Sequence, residues 1–336
     1  GAYEIHEDTR KKGQRMTTPI RWGILGTGAI AKKFATGLKS IPDARIEAIG
    51  SRKLETAAAF AGEFGAARAH ASYEALAQDP DVDAIYISTP HQLHCENTLL
   101  CLDHGKAVLC EKPFAINAGQ AKRMVERARQ KKSFLMEAMW TRFLPAMVQA
   151  RKWINEGRIG EPRMVMGDFG FRTDFDTEGR LFNLEYGGGS LLDVGVYPIS
   201  FASMVFGGAP VAVTGAAHLG ETGVDEQAGY VLTYDGGRLA VLASGVRTET
   251  PHDAYVLGTD GMIRMNAPFW CTTTATLTHH GDDPVVFSRP HQGNGYEYQA
   301  LEAMRCVRAG ESESPGMPLD ETVVIMETMD RLRAQW

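Results

Sequence analysis

Residues 21–33 read RWGILGTGAIAKK, and the reading of this stretch decides the fold. An apolar run passes without a break into Gly26-Thr27-Gly28-Ala29-Ile30-Ala31 and then into alanine- and lysine-rich sequence. That is the order of a buried parallel strand, a tight turn and a helix start. Each small residue has a physical task in such a turn. Gly26 allows the sharp bend, Gly28 removes the side chain that would keep a phosphate from the backbone, and Ala31 replaces the third glycine where helix meets strand. The free N–H groups and partial positive charge of the helix start, with Thr27, Ala29 and Ile30 in the turn, suit the pyrophosphate of a dinucleotide. A glycine pattern alone also fits a plain corner between strand and helix, so the residues downstream decide.

Downstream, strand-like and helical runs alternate. Residues 44–50 and the runs DVDAIYISTP, AVLCEKP and SFLMEAMW read as strands, and LETAAAFAGEFG, HCENTLLCLDHG and INAGQAKRMVERARQKK have helical spacing. Such alternation implies βαβ crossovers and an α/β Rossmann fold, a doubly wound parallel sheet covered on both faces. From about residue 160 the texture changes to successive strand-like runs, with TYDGGRLAV a hairpin signal and helices expected near residues 189–206, 297–308 and 320–335. The expected second half is an α+β domain on a large, mainly antiparallel open sheet. Residues 1–17 are taken as a disordered extension or expression remnant with Met16 a natural start, 18–140 as the dinucleotide-binding domain, and 141–336 as the substrate-binding and oligomerisation domain.

The 336 residues carry a formal net charge of -6, which gives no basic footprint for nucleic acid or an anionic membrane. No apolar run is read as reaching the roughly 18 residues that span a bilayer. The 5 cysteines (Cys95, Cys101, Cys110, Cys271, Cys306) show no metal-ligand spacing. They read as reduced thiols of a cytoplasmic protein, with no metal expected.

At the end of the second strand an NAD-selective fold places an acidic residue for the ribose hydroxyls, but here stand Ser51, Arg52 and Lys53. A hydroxyl and two cations suit a 2′-phosphate, so NADP is favoured over NAD. The plainer reading is that the two cations open a solvated helix. Thr89, Pro90, His94, Glu111 and Lys112 end later strands and are expected beside the cofactor. His94 alone also fits a structural or capping histidine. Lys112 is sharper, because packing does not explain an ammonium between a buried strand and Pro113. Asp193 and Tyr197, in GGGSLLDVGVYPI, share a helical face at i, i+4 spacing. A carboxylate beside a phenol suits proton transfer from a hydroxyl as hydride leaves its carbon, with Lys112 favouring the phenolate.

Together GILGTGAIA, SRK, STPHQLH, EKP and GGGSLLDVGVY, in this order and at these separations, resemble the Gfo/Idh/MocA oxidoreductase family over nearly the whole chain from about Ile20. MEAMWTRFLPA and GGGSLLDVGVYPI are similar to its dimeric dihydrodiol dehydrogenase and NADP-dependent aldose dehydrogenase subgroup. The resemblance implies an NADP-dependent enzyme moving a hydride between nicotinamide and a hydroxyl or carbonyl carbon of a sugar, cyclic diol or related small molecule. It makes Lys112 and Tyr197 the proton-handling pair and Asp193 the group that orients the hydroxyl. Trp140 and Arg142 would border the nicotinamide, with Phe169, Phe171 and Tyr296 looser candidates for the pocket wall. A homodimer through the second sheet is expected. Many members carry His at the position of Tyr197, so the mechanism carries over best within the tyrosine-bearing subgroup. Two alternatives stay open: an oxidoreductase that never releases its nucleotide, as in the glucose–fructose branch, and a nucleotide-responsive sensor or co-repressor that does no chemistry.

Overall fold

In the computed structural model, which describes residues 18–336, the apolar run of the opening stretch is strand β1 (Ile20–Leu25), buried at every position but Arg21. The extension expected over residues 1–17 lies outside the described residues. With β2 (Ala44–Gly50), β3 (Arg68–His70), β4 (Ala84–Ile87), β5 (Ala107–Glu111) and β6 (Leu135–Ala138), β1 forms a parallel sheet in the order β3-β2-β1-β4-β5-β6. The order reverses between β1 and β4, and at such a switch point the carboxyl ends of the strands open a crevice. Helices α1 (Ala29–Leu38), α2 (Leu54–Phe64), α3 (Tyr73–Ala77), α4 (His94–Asp103) and α5 (Ala118–Lys131) make the crossovers. In α5 the buried residues Ala118, Ala121, Met124, Val125 and Ala128 recur at three- and four-residue spacing. The Asn117 side chain caps its start by accepting from Gln120 N at 2.9 Å.

After α6 (Pro145–Asn155) come β7 (Pro162–Gly170) and α7 (Val196–Phe206), then β8 (Ala212–Leu219), β9 (Asp225–Tyr234), β10 (Arg238–Gly245), β11 (Ala254–Gly258), β12 (Gly261–Met265), β13 (Thr274–His279) and β14 (Val285–Ser288). The 8 strands from β7 to β14 lie in the order β14-β13-β12-β11-β7-β10-β9-β8. Only β7 and β10 pair in parallel. Along β9 buried and solvent-facing side chains alternate, as a sheet covered on one face requires. The expected hairpin joins β9 and β10, with Gly236 and Gly237 both at φ 75, a conformation in which glycine avoids the Cβ clash. Helix α8 (Glu297–Ala309) packs on α1, and α9 (Leu319–Arg333) returns to α5 and β6, tying the second half to the first sheet.

Three expectations are corrected here. The short strand β3 and the edge strand β14 were not read, because three or four residues carry too little periodicity to register. The run SFLMEAMW is strand only over β6, and Trp140 belongs to a following 3-10 turn, Trp140–Phe143. The stretch Leu184–Phe206 spans 23 residues and is long and apolar enough to cross a membrane, but 89% of its apolar window is buried in the protein, so it is a core element.

Candidate active site

The turn after β1 has the geometry its glycines suggested. Gly26 sits at φ +103 and a Cβ there would press on the Ser88 backbone at 3.1 Å, whereas a Cβ on Gly28 would project into open space. Gly28 caps α1 with no side-chain hydrogen bond, so the first N–H groups of the helix are left for a ligand. Ala31 is fully buried, and only a small residue fits where helix meets strand. These features fit a dinucleotide phosphate on the turn residues Gly26, Thr27, Gly28, Ala29 and Ile30. At the end of β2, Ser51 is half-buried while Arg52 and Lys53 are exposed. Among the described residues no carboxylate pairs with either cation.

Around the crevice, Thr89 and Pro90 follow β4, and Lys112 directly follows β5, ahead of a cis Lys112–Pro113 bond. The Thr89 hydroxyl accepts from Asn97 Nδ2 at 3.0 Å. Opposite them, the chain winds through a π-helical turn, Leu191–Gly195, into α7 and delivers Asp193 and Tyr197. Buried Asp225 of β9 holds the start of that turn, accepting from Ser190 Oγ at 2.8 Å and Leu191 N at 2.7 Å. Gly189, at φ +104, packs against Asp225, and Gly195 leaves no room for a Cβ beside Tyr230. The glycines of GGGSLLDVG thus bring the turn down onto the second sheet.

Lys112 is where the two halves meet. Its Nζ donates to the Asp193 carbonyl at 2.7 Å, lies 3.4 Å from Asp193 Oδ1 and stands 5.1 Å from the centre of the Tyr197 ring. Burial pulls the ammonium down, but Asp193, Tyr197 and Glu111 outweigh it and hold the Lys112 pKa above its ordinary value. Burial would raise Asp193, yet Lys112, Arg180 and His91 keep its carboxyl well below the usual range. Arg180 Nη1 lies 2.8 Å from Asp193 Oδ1. Tyr197 departs from expectation: burial pushes its phenol up to about 12, and the opposing pull of Lys112 does not produce a phenolate at neutral pH. Trp140 Nε1 donates to the Tyr197 hydroxyl at 3.1 Å.

Two aromatic pairs flank that hydroxyl. Trp140 stacks on Tyr296 with ring centres 4.3 Å apart, and Phe169 stacks on Trp270 at 3.4 Å and tilts against Tyr197 at 5.3 Å. Phe171 instead joins a small cluster with Phe182, Val224 and Val246. Trp270, His91 and Arg180 escaped the sequence reading. The first follows a cis proline, Pro268, and Arg180 lies in a loop without periodicity, so neither carries a local signal.

Three assigned residues turn out to serve elsewhere. Arg142 was expected at the nicotinamide but is interior: its guanidinium donates to Ser200 Oγ at 2.9 Å, Ser200 O at 2.8 Å and Glu321 Oε1 at 2.5 Å. A buried cation must be paired, and α7 and α9 supply the partners. His94 has Nδ1 2.8 Å from the Pro113 carbonyl and Nε2 2.9 Å from the Thr89 carbonyl, which leaves no ring nitrogen for a ligand. Burial lowers it to about 4, and a neutral ring carries a single N–H, so it donates to one of these two carbonyls and packs its other nitrogen against the second. Glu111 accepts from the Tyr86 hydroxyl and from Lys112 N, and burial raises it to about 7, so it supports the crevice from below.

A glycine turn and helix start at the switch point of a parallel sheet, with a buried lysine after a later strand and a buried phenol beside stacked aromatic rings, is an arrangement shared with nucleotide-dependent oxidoreductases. The family description "Oxidoreductase family, NAD-binding Rossmann fold" of GFO/IDH/MocA matches residues 20–139, and that of the GFO/IDH/MocA C-terminal domain matches residues 147–264. The chain belongs to the GFO/IDH/MocA oxidoreductase family. It is 37% identical over 326 residues to trans-1,2-dihydrobenzene-1,2-diol dehydrogenase of Xenopus laevis, covering 94% of this chain and 97% of the relative. Identity to the protein of the same name in Mus musculus is 38% over 322 residues, covering 94% and 96%. Among solved structures, a 3-ketoreductase from Actinomadura kijaniata in complex with NADP and TDP-benzene superposes with a TM-score of 0.82 at 28% identity, covering 94% of this chain and 98% of that one.

Proposed function

We propose that this protein is an NADP-dependent dehydrogenase or reductase that moves a hydride between the nicotinamide and a hydroxyl or carbonyl carbon of a cyclic diol or sugar. The observation that carries the reading is Lys112, whose ammonium reaches both Asp193 and the Tyr197 ring at the end of β5. The names of the curated relatives and the nucleotide held by the ketoreductase structure support it.

In this reading residues 18–140 hold the nucleotide and residues 141–336 hold the substrate. The turn from Gly26 to Ile30 binds the pyrophosphate, and Ser51, Arg52 and Lys53 take the 2′-phosphate, which favours NADP over NAD. Thr89, Pro90 and Trp140 border the nicotinamide. When bound, NADP supplies the hydride acceptor or donor at the nicotinamide ring. Tyr197 holds the proton at its hydroxyl, a group burial keeps protonated and therefore ready to donate to a carbonyl oxygen. Lys112 lowers the cost of ionising that phenol when the reaction runs toward oxidation. Asp193, kept as a carboxylate by Lys112 and Arg180, accepts from a substrate hydroxyl and orients it. The aromatic pairs Trp140/Tyr296 and Phe169/Trp270 exclude water from one side and give a cyclic substrate flat apolar walls.

The protein is further read as a cytoplasmic homodimer. Met166, Val241 and Val231 stand in register across β7, β10 and β9 on the open face of the second sheet, 42%, 39% and 37% exposed. A second copy covering that apolar row removes it from water. The test of the function is NADPH formation on a panel of cyclic diols and aldoses, with NAD in parallel. Turnover with NADP supports the reading; nucleotide binding with no turnover on any member contradicts it.

A further inference from the structure

We propose that residues 171–187 form a lid over the Asp193 end of the cleft, and that Arg180 is both its latch and a positioning residue for Asp193. The inference rests on the reading of Asp193 as the group that orients a substrate hydroxyl. The segment leaves β7 at Gly170, carries the short 3-10 turn Leu184–Tyr186 and rejoins the core ahead of the π-helical turn. It is anchored by a cluster of its own. Phe182 packs with Val224 and Val246, with Phe171 and Leu181 against them, apart from the large core that runs through both sheets. Phe175 meets Phe182 edge-on at 4.9 Å, and Arg247 lies over both rings. The base of the segment turns on Gly187 and Gly189, at φ 72 and 104, where glycine avoids the Cβ clash. A segment held by a small satellite cluster releases at a lower free energy than the strands of the main core.

Arg180 reaches from solvent into the site. Its side chain is 53% exposed and that of its partner Asp193 is 5% exposed, and Nη1 donates to Oδ1 at 2.8 Å. Beside this latch the Gly187 carbonyl lies 3.2 Å from Nδ1 of His91, in the 3-10 turn after β4, so the base of the segment rests on the nucleotide-binding half. The latch also decides which carboxylate oxygen is left for a ligand. Arg180 and Lys112 both take Oδ1, and among the described residues no hydrogen bond uses Oδ2. With Oδ1 held from two directions, the carboxylate keeps one orientation and Oδ2 is the oxygen that accepts from a hydroxyl. Release of the latch leaves Asp193 with Lys112 alone and uncovers that end of the cleft. Substrate entry and product release therefore run through the ion pair that orients the hydroxyl.

The experiment is hydrogen–deuterium exchange of the protein–NADP⁺ complex, read in peptides covering residues 171–189, for the parent, Arg180→Gln, Arg180→Lys and Asp193→Asn. The amides of Gly188 and Gly189 donate to the Asn183 and Leu181 carbonyls across the base of the segment and report its release. Arg180→Gln should exchange there on the order of tenfold faster than the parent, the scale of one charged hydrogen bond at a half-exposed site. Exchange in β7 and β10 should stay at parent values. Arg180→Lys, which keeps the charge, should recover part of the protection, and Asp193→Asn, which removes the other half of the latch, should loosen the same peptides. With an alcohol from the panel that the parent oxidises, Arg180→Gln should raise KM and leave kcat and NADP⁺ affinity near parent values, because substrate must then select a rarer closed form. Parent-like exchange in Arg180→Gln or Asp193→Asn, faster exchange that spreads through β7 and β10, or a loss in kcat with KM unchanged would overturn the proposal. Loosened peptides in a protein that forms no NADPH on any alcohol refute the dehydrogenase reading and uphold the latch.

Discussion

Glu137 of β6 gives a quantitative test of the interior that supports the crevice. The residue is fully buried, neither carboxyl oxygen meets a partner in hydrogen-bond geometry, and the nearby Thr322 hydroxyl has none either. Burial raises its pKa from 4.5 to about 7, against the pull of Thr322 and Arg142. In the unfolded chain the group titrates near its ordinary value, so between these two values the folded protein holds a proton that the unfolded chain has released. Stability from this residue therefore falls as pH rises through the folded pKa. Between pH 5 and pH 8 the loss is about 2–3 kcal/mol for one group shifted this far. Glu137→Gln removes the titration while keeping shape. Urea unfolding of parent and variant at several pH values should show the variant losing about 2–3 kcal/mol less over that interval, whatever its absolute stability at pH 5. Glu111, raised in the same direction, keeps its own contribution in both proteins. Identical pH slopes would refute the claim that a desolvated carboxylic acid sits under the domain junction.

Three further outcomes are expected. Arg52→Ala should weaken NADPH binding by roughly 1.5–3 kcal/mol and leave NADH nearly unaffected in fluorescence titration; equal losses for both nucleotides contradict its contact with the 2′-phosphate. Lys112→Met should move the rising limb of the diol-oxidation pH profile to higher pH, because Lys112 pulls the Tyr197 pKa down; a limb that stays in place shows that the two are not coupled. The pair Met166→Glu and Val241→Glu should convert a dimer to monomers in light scattering, whereas a parent already monomeric at micromolar concentration rules out the sheet-to-sheet assembly.

Much of the fold was legible because both sheets announce themselves by periodicity: continuous apolar runs for parallel strands, alternation for the half-covered sheet. That Lys112 ends β5 was legible from the strand pattern; Asp193 and Tyr197 both lie near it, but Asp193 sits in a π-helical turn ahead of α7 and not on the shared α-helical face that i, i+4 spacing suggested. Arg142 was misplaced for a different reason. Its partners Ser200 and Glu321 lie far along the chain, and nothing local distinguishes an arginine that enters the core from one that faces a nucleotide. His94 was expected beside the cofactor, and His91, three residues earlier in the same motif, was not read: the Thr89 and Pro113 carbonyls face the two nitrogens of His94, while His91 Nε2 lies 3.9 Å from Asp193 Oδ1. The protonation of Tyr197 depends on burial by Trp140, Tyr296 and Phe169, which only the assembled cleft supplies.

The central claim is that Tyr197 carries the proton while the nucleotide carries the hydride. It is tested most directly by comparing parent and Tyr197→Phe in NADP⁺-dependent oxidation of a cyclic vicinal diol at saturating nucleotide across pH. The account predicts NADPH formation by the parent and turnover lower by on the order of 10²–10⁴-fold in the variant, the usual share of positioned proton transfer, with NADPH affinity retained. Turnover of the phenylalanine variant near that of the parent would contradict it.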